Sequence, residues 1–291
     1  MEVGLLYSRI RADEKQLLSE LRDRGHEVTK ADSRKLTFDL DAPPAALSSC
    51  DVVLDRCLAT SRSRYATRFL EHHDVPVVNT AATAAVCSDK VETSLALAAA
   101  GVPTPRTTVA FSTESALSAV ESFGYPCVLK PVVGSWGRLM AKLESRSAAE
   151  AVLEHKATLG HYEHSVFYIQ QFVEKPGRDI RVLLAGGQPV AAMTRSSDHW
   201  ITNAAAGAET ESFSLEEDVE ALAIAASDAV GGGLLGVDLM ETGDGYTVHE
   251  VNHTVEFTAL NGAVDTDVPA AIVDWLETVP ETGGETPEVT A

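Results

Sequence analysis

Gly236-Val237-Asp238-Leu239-Met240-Glu241, the turn Gly243-Asp244-Gly245 and then Tyr246-Thr247-Val248-His249-Glu250-Val251-Asn252 form the stretch that decides the fold. Two short apolar runs joined by a glycine-rich turn read as successive strands. Asp238 alternates with Val237 and Leu239. Glu250 and Asn252, two apart, share one face of the second strand. The plain alternative is an acidic surface strand, but Asp238 and Glu250 interrupt apolar runs. Three oxygen donors on neighbouring strands suit Mg²⁺, which takes one or two carboxylates and leaves its other positions to phosphate and water.

Upstream, Lys130 ends the buried run Cys127-Val128-Leu129-Lys130. An ammonium at the end of such a strand either snorkels to water or serves a bound anion. The loop Gly134-Ser135-Trp136-Gly137-Arg138 follows. Its glycine N–H groups and arginine fork suit phosphate, although an ordinary hairpin turn also carries glycines. Lys90 follows Asp89 at a helix start, where a cation is mildly unfavourable and a bound anion would account for it. Gln170-Gln171-Phe172-Val173-Glu174 runs into Lys175-Pro176-Gly177-Arg178-Asp179. Such a strand-to-loop hinge can offer backbone groups to an adenine edge, with Glu174 or Asp179 for a ribose or a lysine; a β-turn is the alternative. Arg181 and Arg195 lie in strands rich in Val, Leu and Ala, and buried arginines need anions. With His199-Trp200-Ile201-Thr202-Asn203, Arg195 gives a cation and an amide near one strand end, fit for a substrate carboxylate or developing phosphoryl charge. The alternative is a structural ion pair with Glu241 or Glu250. Two lysines, a glycine loop and three oxygen ligands suggest chemistry that spends ATP to activate a carboxylate.

The chain has 291 residues, enough for two or three lobes, and a net charge of −20. All 23 Lys and Arg fall in residues 1–195, and residues 196–291 carry 20 Asp and Glu with no Lys or Arg. Such a surface repels nucleic acid and anionic membranes. It reads as a salt-adapted solvent surface of a halophilic cytoplasm, with a cation-binding face as the alternative. No run approaches the ~18 apolar residues of a spanning helix. The start, Met1 to Tyr7, reads as a first strand and not a signal peptide. Cys50, Cys57, Cys87 and Cys127 lack Cys-x-x-Cys spacing, so a reduced, cytoplasmic protein without zinc is expected.

Apolar runs alternating with amphipathic segments predict an α/β protein. Residues 1–88 read as a small doubly wound lobe, 89–165 as a lid lobe built on a strand-loop-strand hairpin, and 166–279 as a strand-rich lobe carrying the metal site. Strands are expected at Val166–Val173, Asp179–Leu184, Pro189–Arg195, Gly236–Glu241 and Tyr246–Asn252, and a helix over Glu216–Val230 capped by Ser214. Residues 280–291 read as a disordered tail.

In order along the chain stand Tyr7-Ser8-Arg9-Ile10-Arg11, Arg56-Cys57 with Ser61-Arg62-Ser63, the loop 134–138, Glu174-Lys175-Pro176-Gly177-Arg178-Asp179-Ile180-Arg181, His199 to Asn203, and Glu250-Val251-Asn252-His253-Thr254. With these strings the chain resembles, from Val3 to about Val279, the ATP-grasp superfamily of carboxylate–amine ligases. Within it the likeness is to the branch of the ribosomal-protein glutamate ligases and the LysX/ArgX ligases of the amino-group carrier protein LysW. The resemblance implies an ATP-grasp fold with an N-terminal pre-ATP-grasp lobe. It implies ATP on Lys90, Lys130, Gly134 to Arg138, Gln170 to Glu174, Arg178, Asp179 and Arg181, and Mg²⁺ on Asp238, Glu250 and Asn252. It places Arg195 and Asn203 as catalytic groups, and substrate near them and near Ala204, Thr254, Glu256, Ala259 and Leu260. The implied reaction phosphorylates the carrier's C-terminal glutamate side chain, and an amino acid's α-amine then attacks the acyl phosphate. A homo-oligomer is also implied.

Two departures bear on substrate. Ala204-Ala205-Ala206 follows Asn203 where the family commonly has an Arg and a Gly-Gly pair. Ala259-Leu260 stands where the α-aminoadipate enzymes tend to have Asn-Thr or Asn-Ala and the glutamate enzymes Gly-Phe. A bulky apolar Leu260 would shorten a polar pocket and favour glutamate, a difference of about 1–3 kcal/mol per methylene. The other readings are a glutamate ligase acting on a ribosomal protein tail or a cofactor, and a nucleotide-binding regulatory protein without catalysis. Arg9, Arg11, Arg56, Arg62, Arg64 and Arg68 are the candidate basic patch for an acidic carrier.

Overall fold

In the computed structural model, which describes residues 1–134, 139–158, 165–202 and 207–280, the chain opens with β1 (Glu2–Tyr7). Val3, Leu5 and Leu6 are all fully buried. A strand buried on both faces reads as continuous apolar sequence and takes parallel neighbours. Those neighbours are β2 (Glu27–Asp32) and β3 (Val52–Arg56), with β4 (Val77–Val78) beyond, giving the parallel order β2-β1-β3-β4. Helix α1 (Ala12–Asp23) lays Leu17, Leu18 and Leu21 on one side, and α2 (Thr60–His72) lays Ala66 and Leu70 on the other. This is the doubly wound unit expected. β2 is absent from the sequence reading because Ala31 is its one buried residue, so it has no apolar signal.

After α3 (Ala81–Ser88) and α4 (Lys90–Ala99) comes an antiparallel sheet of order β5-β8-β6-β7: β5 (Thr107–Ala110), β6 (Cys127–Lys130), β7 (Ala141–Leu143) and β8 (Phe167–Gln171). Helices α5 (Thr113–Phe123) and α6 (Arg146–Thr158) pack on it through Ala116, Val120, Ala149 and Leu153. Two segments depart from their sequence grouping. β8, grouped with the later strands, pairs here with β5 and β6, and α4 sends Leu97 into the core of the third sheet.

That third sheet has the order β11-β10-β9-β12-β13 and is antiparallel throughout: β9 (Arg178–Ala185), β10 (Gln188–Ser196), β11 (Glu209–Ser212), β12 (Leu234–Thr242) and β13 (Gly245–Asn252). Alternation sorts its two faces. Ile180, Val182, Leu184, Leu235, Val237, Leu239 and Val251 face α4 and α7 (Glu217–Ala229). Leu183, Met193 and Leu234 face α1, α8 (Thr258–Ala263) and α9 (Val268–Leu276), in a core shared with β1 and β3. Helix α7 starts after Glu216 and takes no side-chain cap from Ser214. Glu217, Asp218 and Glu220 in its first turn complement the helix dipole instead. Apart from Pro280, the expected tail lies outside the described residues.

The first and third sheets meet at Asn79, whose side chain bonds the backbone N–H of Leu234 (2.6 Å) and its carbonyl (3.0 Å). Gly233 makes room: its φ is +112°, and a Cβ there would stand 2.1 Å from Asn79 Oδ1. A Gly233→Ala variant therefore has both a forbidden backbone and a clash, and is expected to lose about 1–3 kcal/mol of stability, read as a lower urea midpoint.

Candidate active site

The alternation that buries Val237 and Leu239 against α7 turns Asp238 the other way. On β9 and β10 the same parity exposes Arg181 and Arg195 to that face. Asp238 lies in register with Arg181 on one side and Glu250 on the other. Arg181 grips both Asp238 oxygens (2.7 and 2.7 Å), Arg195 Nη2 lies 3.1 Å away, and the Asn252 amide donates at 3.5 Å. Arg195 Nε also donates to Asp179 (2.7 Å), which accepts from Thr202 Oγ1 and faces Lys175 Nζ at 3.5 Å. Burial works to raise the Asp238 pKa, but Arg181 and Arg195 hold it well below the carboxylate range. Burial likewise works against the Arg195 charge, which Asp238 and Asp179 sustain. The structural partners of the two arginines are thus Asp238 and Asp179. Glu241 belongs to Arg178 (2.7 and 2.8 Å), and Glu250 to Lys90.

Opposite this ladder stands the second sheet. Lys130, 3 % exposed at the end of β6, donates to Gln170 Oε1 on β8 (2.5 Å) and lies 3.3 Å from His249 Nδ1. No carboxylate lies within ion-pair distance of it among the described residues. Burial pushes its pKa down to about 7, with Glu250 pulling the other way. Lys90, first residue of α4, bonds the Gly134 carbonyl (2.7 Å) and Glu250 (3.0 Å). Asp89 caps that helix. Lys175 Nζ donates to Thr202 (2.5 Å), and burial lowers its pKa as well.

Apart from Asp89 and the Arg178–Glu241 pair, these groups line one open cleft. Gln170, Gln171, Phe172 and Val173 form its edge, with Lys142 over the Phe172 ring at 4.6 Å and Trp200 at 6.3 Å between centroids. Gly134, Asp179, Arg181, Arg195, Asp238, Glu250, Asn252, Thr254 and Glu256 are in the same wall. Ser135, Trp136, Gly137, Arg138, Asn203 and Ala204 lie outside the described residues.

Four expected site residues are not in the cleft wall. Glu174 is exposed, and Arg178 is spent on Glu241. Ala259 is an exposed position of α8, and Leu260 is fully buried against Phe257, Val268 and Ile272. A leucine committed to that core cannot shorten a substrate pocket, which removes the physical basis for favouring glutamate. The three expected metal ligands, Asp238, Glu250 and Asn252, all line the cleft. Glu250 and Asn252 line the cleft from one face of β13 and fit a hard cation beside phosphate. Asp238 lies in the same wall, in contact with Arg181 and Arg195.

Sequence reasoning missed Lys175, Thr202 and His249. Lysine scarcity was the available signal for the first, since the chain has eight and three meet in this cleft. Thr202 was visible only as part of a string. His249 gave no signal, because a register shift between Asp238 and Leu239 leaves it extra on β13 and re-aims it at Lys130.

A small antiparallel sheet set against a larger one, with lysines closing on a carboxylate–arginine ladder between them, defines an ATP-grasp ligase. The model of the RimK-like ATP-grasp domain matches residues 87–276, and that of the LysX preATP-grasp domain matches residues 3–86. The chain belongs to this LysX/RimK family of ATP-grasp ligases. It is 33 % identical over 260 residues to the α-aminoadipate–LysW ligase LysX of Sulfurisphaera tokodaii, covering 88 % of this chain and 91 % of that one. It is 28 % identical over 282 residues to the glutamate–LysW ligase ArgX of Sulfolobus acidocaldarius, covering 95 % and 98 %. Its structure superposes with a TM-score of 0.81 on a RimK-domain ATP-grasp protein from Sphaerobacter thermophilus, at 31 % identity over 94 % of this chain and 99 % of that one.

Lys130 makes stability depend on pH in a definite direction. With a folded pKa of about 7 against 10.5 unfolded, the native chain holds fewer protons than the unfolded chain between those values. Stability therefore rises with pH from about 7 toward 10.5, and below 7 the full penalty of a buried ammonium applies. Lys130→Met is expected to remove this rise and to stabilise the ligand-free protein most at low pH, as read from urea midpoints at about pH 6 and about pH 9.

Proposed function

We propose that this enzyme is an Mg-ATP-dependent ligase joining the α-amine of glutamate or α-aminoadipate to the C-terminal glutamate side chain of a LysW-type carrier protein, in arginine or lysine biosynthesis. The observation that carries the nucleotide part is Lys130, a buried ammonium with an amide oxygen and an imidazole as neighbours and no carboxylate within ion-pair distance among the described residues. A buried cation left this way calls for an anion. Lys90 and Lys175 open onto the same space. A polyphosphate answers all three, with the base against Phe172 and the Gln170–Val173 edge.

In this reading Lys90 and Lys130 hold the phosphates. Arg195 and Arg181, oriented by Asp179 and Asp238, face the developing charge. The carrier carboxylate oxygen attacks the terminal phosphorus and ADP leaves. The amine then attacks the acyl carbon, phosphate leaves and the amine proton passes to solvent. Mg²⁺ on Glu250, Asn252 and Asp238 would neutralise phosphate charge and align the phosphates. Thr254 and Glu256 stand at the amino-acid end. The relatives' names support both amino acids, and the chain's identity to each type is similar. A cytoplasmic, salt-adapted enzyme acting as a homo-oligomer completes the reading.

Carrier docking falls on α2. Arg62, Arg64 and Arg68 are exposed beside Tyr65 (62 % exposed) and form no ion pair among the described residues. Arg64 and Arg68 are like charges four apart, an arrangement that costs stability without an anion. The helix begins at Thr60, in the cleft wall. Arg11 and Arg56 drop out of the expected patch because both are tied inside the protein.

Intact mass of the carrier after incubation with ATP and equal glutamate and α-aminoadipate is the decisive measurement. A gain of one of these residues, dependent on ATP, is expected. Unchanged mass with either amino acid defeats the carrier reading, and glutamate-dependent ADP release without carrier points to another acceptor. Arg62→Glu with Arg64→Glu is expected to raise the carrier KM about tenfold with the ATP KM unmoved.

A further inference from the structure

The residues following β13 are gripped, almost one by one, from the first lobe. Asn79 Nδ2 donates to the His253 carbonyl (2.7 Å) and Arg56 Nη2 to the Val255 carbonyl (2.8 Å). Arg11 Nη1 pairs with Glu256 (2.6 Å). Asp13 Oδ1 accepts from the N–H groups of Phe257 (3.1 Å) and Thr258 (2.8 Å) and from the Thr258 hydroxyl (2.6 Å). From the other side Val255 presses on β12, where a Cβ on Gly236 would lie 2.5 Å from its methyl group. Thr254 alone has no such bond: it lines the cleft, and its buried Oγ1 has no hydrogen-bond partner among the described residues.

Arg56 is the centre of this arrangement. It is wholly buried at the end of β3, with Nε on Glu14 (3.2 Å), its guanidinium over the Phe257 ring at 5.7 Å, and Nη1 without a partner among the described residues. Glu14 is shared with Arg11 (2.7 Å), so the two arginines and one carboxylate tie β3, α1 and the segment 253–258 together. Burying an ion cluster rarely stabilises a fold more than apolar side chains of equal volume, so its retention points to a geometric duty.

We propose that Arg56 is a positioning residue for the second substrate. With Asn79 and Asp13 it straps residues 253–258 so that Thr254 and Glu256 stand fixed in the cleft, and the first lobe thereby sets affinity for the amino acid and not for the nucleotide. The identity of that substrate rests on the ligase reading above; the strap itself does not.

Hydrogen–deuterium exchange of the free full-length protein tests the strap. In Arg56→Met, amides of 253–258 are expected to exchange at least about tenfold faster while β1, β9 and β12 keep their protection. Arg56→Lys, which keeps a donor for Val255, is expected to restore part of it. In steady-state kinetics the glutamate KM of Arg56→Met is expected to rise about tenfold with the ATP KM within about twofold. Should Arg56→Met not fold, Arg11→Met, at a half-buried position, frees Glu256 and gives up the Arg11–Glu14 pair while the Arg56–Val255 and Asp13–Thr258 bonds remain, and is expected to give the same split in KM. Unchanged exchange at 253–258, loss of protection spread evenly over the first sheet, or both KM values rising together overturns the proposal. A wild-type enzyme without amino-acid-dependent turnover defeats the ligase reading instead, and the exchange result still decides the strap.

Discussion

Asp238 sits between two guanidinium groups in the middle of a five-stranded sheet, and the geometry of the cleft follows from that contact. A carboxylate buried on β12 without partners would take up a proton. Arg181 and Arg195 prevent this, and each is in turn held by register: Asp238 lies opposite Arg181, and Arg195 opposite Asp179. Direct cross-strand pairing lets the ladder form without distorting the sheet. Lys175 and Thr202 extend it to the loop beyond β10. Loss of one member strands a buried charge, and that cost, several kcal/mol in such pairs, is why the ladder behaves as a unit.

The opposite wall follows a different logic. Among the described residues no acid lies within ion-pair distance of Lys130, and Glu250 is spent on Lys90. One wall of the cleft is therefore balanced within itself and the other is left with a cation to satisfy. This asymmetry fits a site whose anion arrives from outside, and it matches what the family does.

The first lobe is more than a support for this cleft. It shares one apolar core with the third sheet, through Val3, Leu5, Leu17, Leu183 and Met193. Its polar side chains reach the backbone of 253–258. By contrast the second sheet has an apolar core of its own, around Val120, Leu129, Leu153 and Phe167. Two bodies are thus welded by burial, and the third meets them across the cleft through lysines and loops.

Much of this was legible in the sequence, because alternation is a local property. The period of two placed Glu250 and Asn252 on one face and set Asp238 against Val237 and Leu239. A lysine ending an apolar run marked Lys130, and ordered strings along the chain marked the family. The edge strands β2 and β11 bury almost nothing and left no trace. Tertiary structure alone decided which acid meets which arginine, since that depends on the strand order β10-β9-β12-β13 and on long-range register. It also sent Leu260 into the core, turned His249 toward Lys130 through a one-residue bulge, and drew Arg11 and Arg56 inward. Periodicity tells a side chain which face it occupies; what lies across from that face is settled only when distant segments pack.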